Sequence, residues 1–327
     1  MARGSDPAKP SIPGIEGKNV FDSDGILAMT KAPDSMVIIG GGVIGMEFAT
    51  LYSTLGKKVT VLEMMQEILP GVELDIVKML KRSLKGKGVD VITHARVMSI
   101  EGGETVKVIY SLNGEELCIE AQVCAVCAGR KPNTQSIGLE DIGIDMERGF
   151  IVVDDTMCTN VENIYAIGDI TGKMQLAHVA TAQGFVAAAV CAGRKAVMEY
   201  EVLPACIYTD PEIAYVGLSE VQANDQGYEV ITGSFNAATN GKAMIMGATC
   251  GVCKLVADQA SHRILGGQIM APRATDILAE AAVVMKFGGT IEDLVSVVHP
   301  HPTVSEIVLE AAHDAEGLCC NTMPRRR

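Results

Sequence analysis

The chain has 327 residues, of which 48% are hydrophobic and 20% charged, with a formal net charge of −13 at pH 7. That length accommodates two or three domains with substantial cores, and the composition is that of a globular chain. The acidic balance excludes nucleic acid and anionic membranes as expected partners, no apolar run approaches a membrane span, and Met1 to Pro7 lacks a signal-like apolar core, so a soluble, cytoplasmic protein is expected.

Residues 1–35 carry Pro7, Pro10, Pro13 and Pro33 with little periodicity and read as a linker or the remnant of a preceding domain. Residues 36–129 read as an α/β unit. The apolar run Met36 to Ile39 leads into Gly40, Gly41, Gly42, Val43, Ile44, Gly45, Met46 and Glu47, a G-x-G-x-x-G turn between a strand and a helix. Gly40 permits the tight turn, Gly42 lets a pyrophosphate approach the backbone, and Gly45 lets helix and strand pack closely. Free N–H groups at the helix start then face the phosphates. The helix stops at Gly56, and Lys58 to Leu62 forms a second strand ending in Glu63, which lies 21 residues beyond Gly42. A carboxylate there accepts hydrogen bonds from an adenosine ribose and repels a 2′-phosphate. No arginine lies between Leu55 and Gly71, so NAD is expected rather than NADP.

A helix over about 73–84 follows, then strands at 89–93 and 97–101. Asn113-Gly114 between two alternating runs predicts a hairpin. A strand over 123–128 closes the unit at Gly129. Residues 130–200 carry the run Ile151 to Asp154, the apolar run Asn163 to Asp169, read as a strand, and an alanine-rich helix from about Ala177 to Ala192. Residues 201–327 mix strands (252–258, 264–270) with helices (275–287, 303–312).

Ten cysteines in apolar segments of a long chain read as reduced thiols. Cys124/Cys127 and Cys250/Cys253 have C-x-x-C spacing, but strand residues three apart face opposite sides, whereas a zinc knuckle needs both sulfurs on one side of a turn. No metal site is expected. Cys319-Cys320 reads as two incidental thiols near the tail.

Four segments in order carry a resemblance: the glycine turn with Glu63; Cys127 to Asn133, including Gly129; Tyr165 to Asp169 with Leu176-Ala177-His178; and His299 to Glu306. Together they resemble the pyridine nucleotide–disulfide oxidoreductase family, most closely its dihydrolipoamide dehydrogenases. The resemblance implies a Rossmann-like NAD-binding domain over 36–129, part of an FAD-binding domain over 130–200, and a C-terminal α+β dimerisation domain over 201–327. Gly129 would then join the NAD site. Asp169 would bind the ribityl chain of FAD, and Gln175, Leu176, Ala177 and His178 would meet its isoalloxazine. Read alone, Asp169 is equally a helix N-cap.

The resemblance also makes His301 the acid/base and Glu306 its orienter. Such a pair suits proton exchange with thiols, because the carboxylate fixes the imidazole tautomer. Thr303-Val-Ser-Glu306 also has the form of a capping box, so Glu306 has a second reading at a helix start. His299 and His178 read as structural residues. The implied partners are a second copy of the chain, as a homodimer, and the lipoyl-bearing protein of a 2-oxo acid dehydrogenase or glycine cleavage complex.

The chain departs from the family in one respect. The family carries an N-terminal FAD fingerprint followed by a C-x-x-x-x-C redox disulfide; here only the second fingerprint is present, and no two cysteines have four residues between them. Three readings follow: a truncated dihydrolipoamide dehydrogenase-type oxidoreductase inactive in isolation, a non-catalytic NAD-binding and dimerising remnant, or a relative of glutathione and mercuric reductases. Glu63 argues against the last, which uses NADPH.

Overall fold

Four consecutive buried side chains, Met36 to Ile39, require a strand covered on both faces. A computed structural model, which describes residues 1–319, places the strand Ser35–Ile39 inside a five-stranded parallel sheet. The order across the sheet is Val20–Asp22, Val123–Val126, Ser35–Ile39, Lys58–Leu62, Val89–Ile92. Side chains alternate between two cores, as the period of a strand demands. Met36 and Ile38 pack with Met46, Ile76 and Leu80 of the helices Val43–Thr54 and Leu74–Gly86. Val37 and Ile39 pack with Ile100, Val106 and Val108 of a three-stranded antiparallel sheet. The chain order reverses beside Ser35–Ile39, so the glycine turn sits at the carboxyl end of a strand at a topological switch point, where open α/β sheets bind ligands.

The predicted hairpin joins Val106–Leu112 to Glu115–Ala121. Asn113 (φ +53°) and Gly114 (φ +87°) both take the left-handed conformation that a two-residue turn of this hand requires.

The chain divides into two compact units. One comprises Lys9–Cys127 with residues 202–319, and the other Met1–Ala8 with Ala128–Glu201. In the larger unit, residues 202–319 form a five-stranded antiparallel sheet, ordered Ala205–Ile207, Glu212–Gly217, Ile264–Ala271, Val252–Asp258, Val230–Asn236. The helices Ala274–Lys286 and Glu306–Ala315 share its core through Leu278, Ala281, Ile307 and Ala311. In the smaller unit, Ser5–Pro7 pairs antiparallel with Arg130–Pro132, and the helix Ala177–Cys191 follows a 3₁₀ turn at Gly168–Thr171. No helix among the described residues is long and apolar enough to cross a membrane.

The C-x-x-C pairs are each divided between cores. Cys124 faces the antiparallel sheet and Cys127 the helices, and burial pushes both thiols up to about 12. Cys253 lies inside the C-terminal core, while Cys250 packs against the helix-side core of the parallel sheet. Of the tail pair, Cys319 donates to Glu310 (3.2 Å) and Cys320 lies outside the described residues.

Two local expectations differ from the structure. Residues 1–35, read as a linker, contribute two strands and the helix Ser23–Leu27, which Asp22 caps through Gly25 N–H (2.9 Å). Elements of three to five residues are too short to show a period. The run Asn163 to Asp169, read as a strand, makes a single bridge, Tyr165 to Cys158, before Gly168 turns the chain at φ +77°.

Leu80 is fully buried between the helix Leu74–Gly86 and the parallel sheet. Leu80→Ala is expected to cost about 2–5 kcal/mol, read as a lower urea midpoint at unchanged slope.

Candidate active site and nucleotide pocket

The glycine turn has the shape that a diphosphate needs. Gly40 sits at φ +110° and donates to Leu62 O (2.9 Å). A Cβ on Gly45 would lie 2.0 Å from Gly40 O, so helix and strand are in backbone contact there. A Cβ on Gly42 would meet nothing within 4 Å, leaving the approach open. Gly42 is the N-cap of Val43–Thr54 and no side chain caps it, so the first amides of the helix remain available to an anion. Val43 is exposed, Ile44 half-buried and Met46 fully buried in the helix-side core.

Glu63 does more than the sequence suggested. One carboxylate oxygen accepts from Gly41 N–H (2.6 Å) and the other from Met65 N–H (2.7 Å). Each oxygen keeps a further lone pair for a ribose hydroxyl. The segment after Glu63 closes against the turn: Leu69 N–H donates to Gly41 O (2.9 Å), and Ile68 packs where a Cβ on Gly41 would be. Sequence reasoning missed this segment. Glu47, on the same helix, accepts from Tyr208 N–H (2.9 Å), and burial pushes its carboxyl above the usual range despite that bond. Gly129 (φ +101°) belongs to the smaller unit.

His301 and Glu306 come together as expected. His301 Nδ1 lies 2.8 Å from one Glu306 oxygen, and the other oxygen accepts from Thr303 N–H (2.8 Å). One oxygen thus faces the imidazole, and the other ties the backbone just before the helix. The segment is not a capping box, because the helix begins at Glu306 with Ser305 as an N-cap whose side chain makes no capping bond. With Nδ1–H donated to Glu306, Nε2 is left as the acceptor. The imidazole is 76% exposed against 22% for Glu306. His299, two residues away, is 4% exposed and pinned between Glu280 (2.6 Å) and Val297 O (3.0 Å), a structural placement.

In the smaller unit, Asp169 accepts from Ser5 Oγ (2.5 Å), which also takes a bond from Arg130 Nε (2.6 Å). The Asp169 carboxylate caps neither neighbouring helix, which removes the N-cap reading; among the described residues its second oxygen accepts no bond. Gln175, Ala177 and His178 are exposed and Leu176 half-buried, and the helix Ala177–Cys191 starts without a side-chain cap. A carboxylate with a free oxygen and an uncapped helix start fit part of a flavin nucleotide. Ser5 and Arg130 were missed because they reach Asp169 across the sequence, with no local signal.

A switch-point glycine turn closed by a carboxylate, with an imidazole–carboxylate pair elsewhere in the same unit, is the arrangement of a nucleotide-dependent oxidoreductase. The chain belongs to the pyridine nucleotide–disulphide oxidoreductase family: residues 1–184 match that family and residues 203–312 its dimerisation domain, which supports a homodimer. Within the family it is of dihydrolipoyl dehydrogenase type. The dihydrolipoyl dehydrogenase of Geobacillus stearothermophilus is 43% identical over 320 residues, 97% of this chain and 68% of that protein. That of Staphylococcus aureus is 39% identical, over 99% of this chain and 69% of the relative. Among solved structures, the flavoprotein disulfide reductase RclA of Escherichia coli, in a Cu(II) complex, superposes with a TM-score of 0.88 at 30% identity, covering 94% of this chain and 70% of that one. LpdA of Mycobacterium tuberculosis gives 0.88 at 28%, covering 95% and 68%. The family uses FAD and NAD(P).

Two outcomes follow from this geometry. Gly45→Val forces the turn open and is expected to weaken NAD binding at least about tenfold, measured by calorimetry. For Glu47, a folded-state pKa above its unfolded value means that its favourable contribution is complete below the unfolded pKa and is lost as pH rises through the folded one. Relative to Glu47→Gln, the native chain is therefore expected to lose urea stability as pH rises upward from the ordinary carboxylate range.

Proposed function

We propose that this chain carries the NAD-binding, acid/base and dimer-forming parts of a dihydrolipoyl dehydrogenase-type oxidoreductase, with the redox disulfide supplied by polypeptide outside this sequence. The observation that carries the reading is His301 Nδ1 held 2.8 Å from Glu306 with Nε2 open. A dihydrolipoyl group is a dithiol, and its oxidation releases two protons with two electrons. His301 Nε2 accepts a proton from the attacking thiol and returns one to the leaving thiolate. Glu306 holds the tautomer and stabilises the imidazolium while the proton is resident. FAD and NAD, when bound, supply the electron path from thiol to nicotinamide. Gly40 to Glu47 and Glu63 would hold NAD; Asp169 and Gln175 to His178 would hold part of FAD. The domains fall at 36–129, 130–200 and 201–327. The protein works in the cytoplasm, on the lipoyl-bearing protein of a 2-oxo acid dehydrogenase or glycine cleavage complex.

The spacing of the cysteines favours a second reading, a non-catalytic NAD-binding and dimerising protein. Purified chain is to be mixed with FAD, dihydrolipoamide and NAD. Binding of NAD in preference to NADPH, without turnover, is expected. Turnover would overturn the requirement for a second polypeptide and remove the non-catalytic reading. Preference for NADPH would overturn the NAD assignment in favour of a glutathione or mercuric reductase relative.

A further inference from the structure

The segment that closes on the glycine turn is held from its far end by the C-terminal sheet. Leu69 takes φ +51°, a conformation that a branched side chain adopts only when its surroundings impose it, and Gly71 follows at φ +93°. Ile68 and Leu69 are buried, and Leu69 N–H bonds the glycine turn at Gly41 O. Two side chains then fasten the next residues. Gln268 accepts from Glu73 N–H (2.8 Å) and donates to Gly71 O (3.1 Å). Lys254 Nζ donates to Glu73 (3.0 Å) and to Glu220 (2.6 Å), and the second Glu73 oxygen accepts from Glu220 N–H (2.7 Å).

Lys254 and Gln268 are direct cross-strand partners, so both project from one face of the antiparallel sheet. Gln268, the lone polar side chain of the strand Ile264–Ala271, is 2% exposed and Glu73 9%. Every buried side-chain polar atom of the group is paired, which makes the cluster rigid and costly to half-remove.

We propose that Lys254 and Gln268 are positioning residues of the nucleotide pocket. They fix Gly71 and Glu73, hence the strained turn at Leu69, hence the seat of Ile68 against Gly41. This rests on the NAD reading of the glycine turn. Neither side chain touches the nucleotide; they act through the loop. Because the loop meets the turn beside Glu63, the part of the ligand affected is the adenosine diphosphate half.

The test compares the full chain with Gln268→Leu, Lys254→Met and Lys254→Arg, by calorimetry with NAD and with ADP-ribose and by amide hydrogen exchange. Gln268→Leu and Lys254→Met are expected to weaken NAD and ADP-ribose equally, by about tenfold, as loss of a buried hydrogen bond implies. Exchange at Leu69 and Glu73 is expected to quicken while the strands Ser35–Ile39 and Val252–Asp258 keep their protection. Lys254→Arg, which retains charge and donors, is expected to stay within about threefold of the native affinity, and serves as the folded comparison if the methionine variant does not fold. Native chain that binds NAD alongside folded variants that bind it as tightly, or with loop exchange unchanged, would overturn the inference. Failure of the native chain itself to bind NAD would overturn the NAD reading and the inference with it.

Discussion

The hydrogen bond from Gly41 N–H to the Glu63 carboxylate is the constraint on which the nucleotide pocket depends. Glu63 is bonded through its backbone as well: its N–H donates to Ile92 O (2.9 Å) and its carbonyl accepts from Ala95 N–H (2.8 Å). One residue therefore ties the glycine turn, the end of its own strand and the connection into the antiparallel sheet. A charge-assisted bond of this kind is stronger than a neutral one, and it leaves lone pairs directed to solvent. The carboxylate that faces the open side of the glycine turn is thereby the group that holds the turn in shape.

The same economy recurs at Glu306. One oxygen fixes the backbone at Thr303, where the chain enters the helix Glu306–Ala315, and the other fixes the His301 imidazole. That helix is packed into the C-terminal core through Ile307, Val308 and Ala311, so the exposed histidine inherits the rigidity of a buried element. A flexible surface imidazole would sample several rotamers; one anchored through Nδ1 presents Nε2 in a defined direction.

What could be read from the sequence was local. The glycine turn, the acid that ends the next strand, the Asn113-Gly114 hairpin and the longer helices each follow from spacing within a few residues, and the structure places them within one to three residues of the expected bounds. Glu306 was legible as a pair of alternatives, and only three dimensions revealed that its two oxygens bond different partners, the His301 imidazole and Thr303 N–H. The clasp of Ser5 and Arg130 on Asp169, and that of Gln268 on Glu73, join residues more than a hundred positions apart. The only hint of the second was a lone glutamine in the apolar strand Ile264–Ala271. The short strands Ser5–Pro7 and Val20–Asp22 are set by pairing with distant partners and not by their own composition.

The distribution of thiols has a practical consequence. Cys118 and Cys191 are exposed, whereas Cys124, Cys127 and Cys253 are sealed in three different cores. A maleimide added to native protein labels the first group at once and reaches the second only when its own core opens. Labelling followed by peptide mass mapping thereby turns each interior cysteine into a clock for a separate layer of the larger unit: Cys253 for the C-terminal sheet, Cys127 for the helical side and Cys124 for the hairpin side.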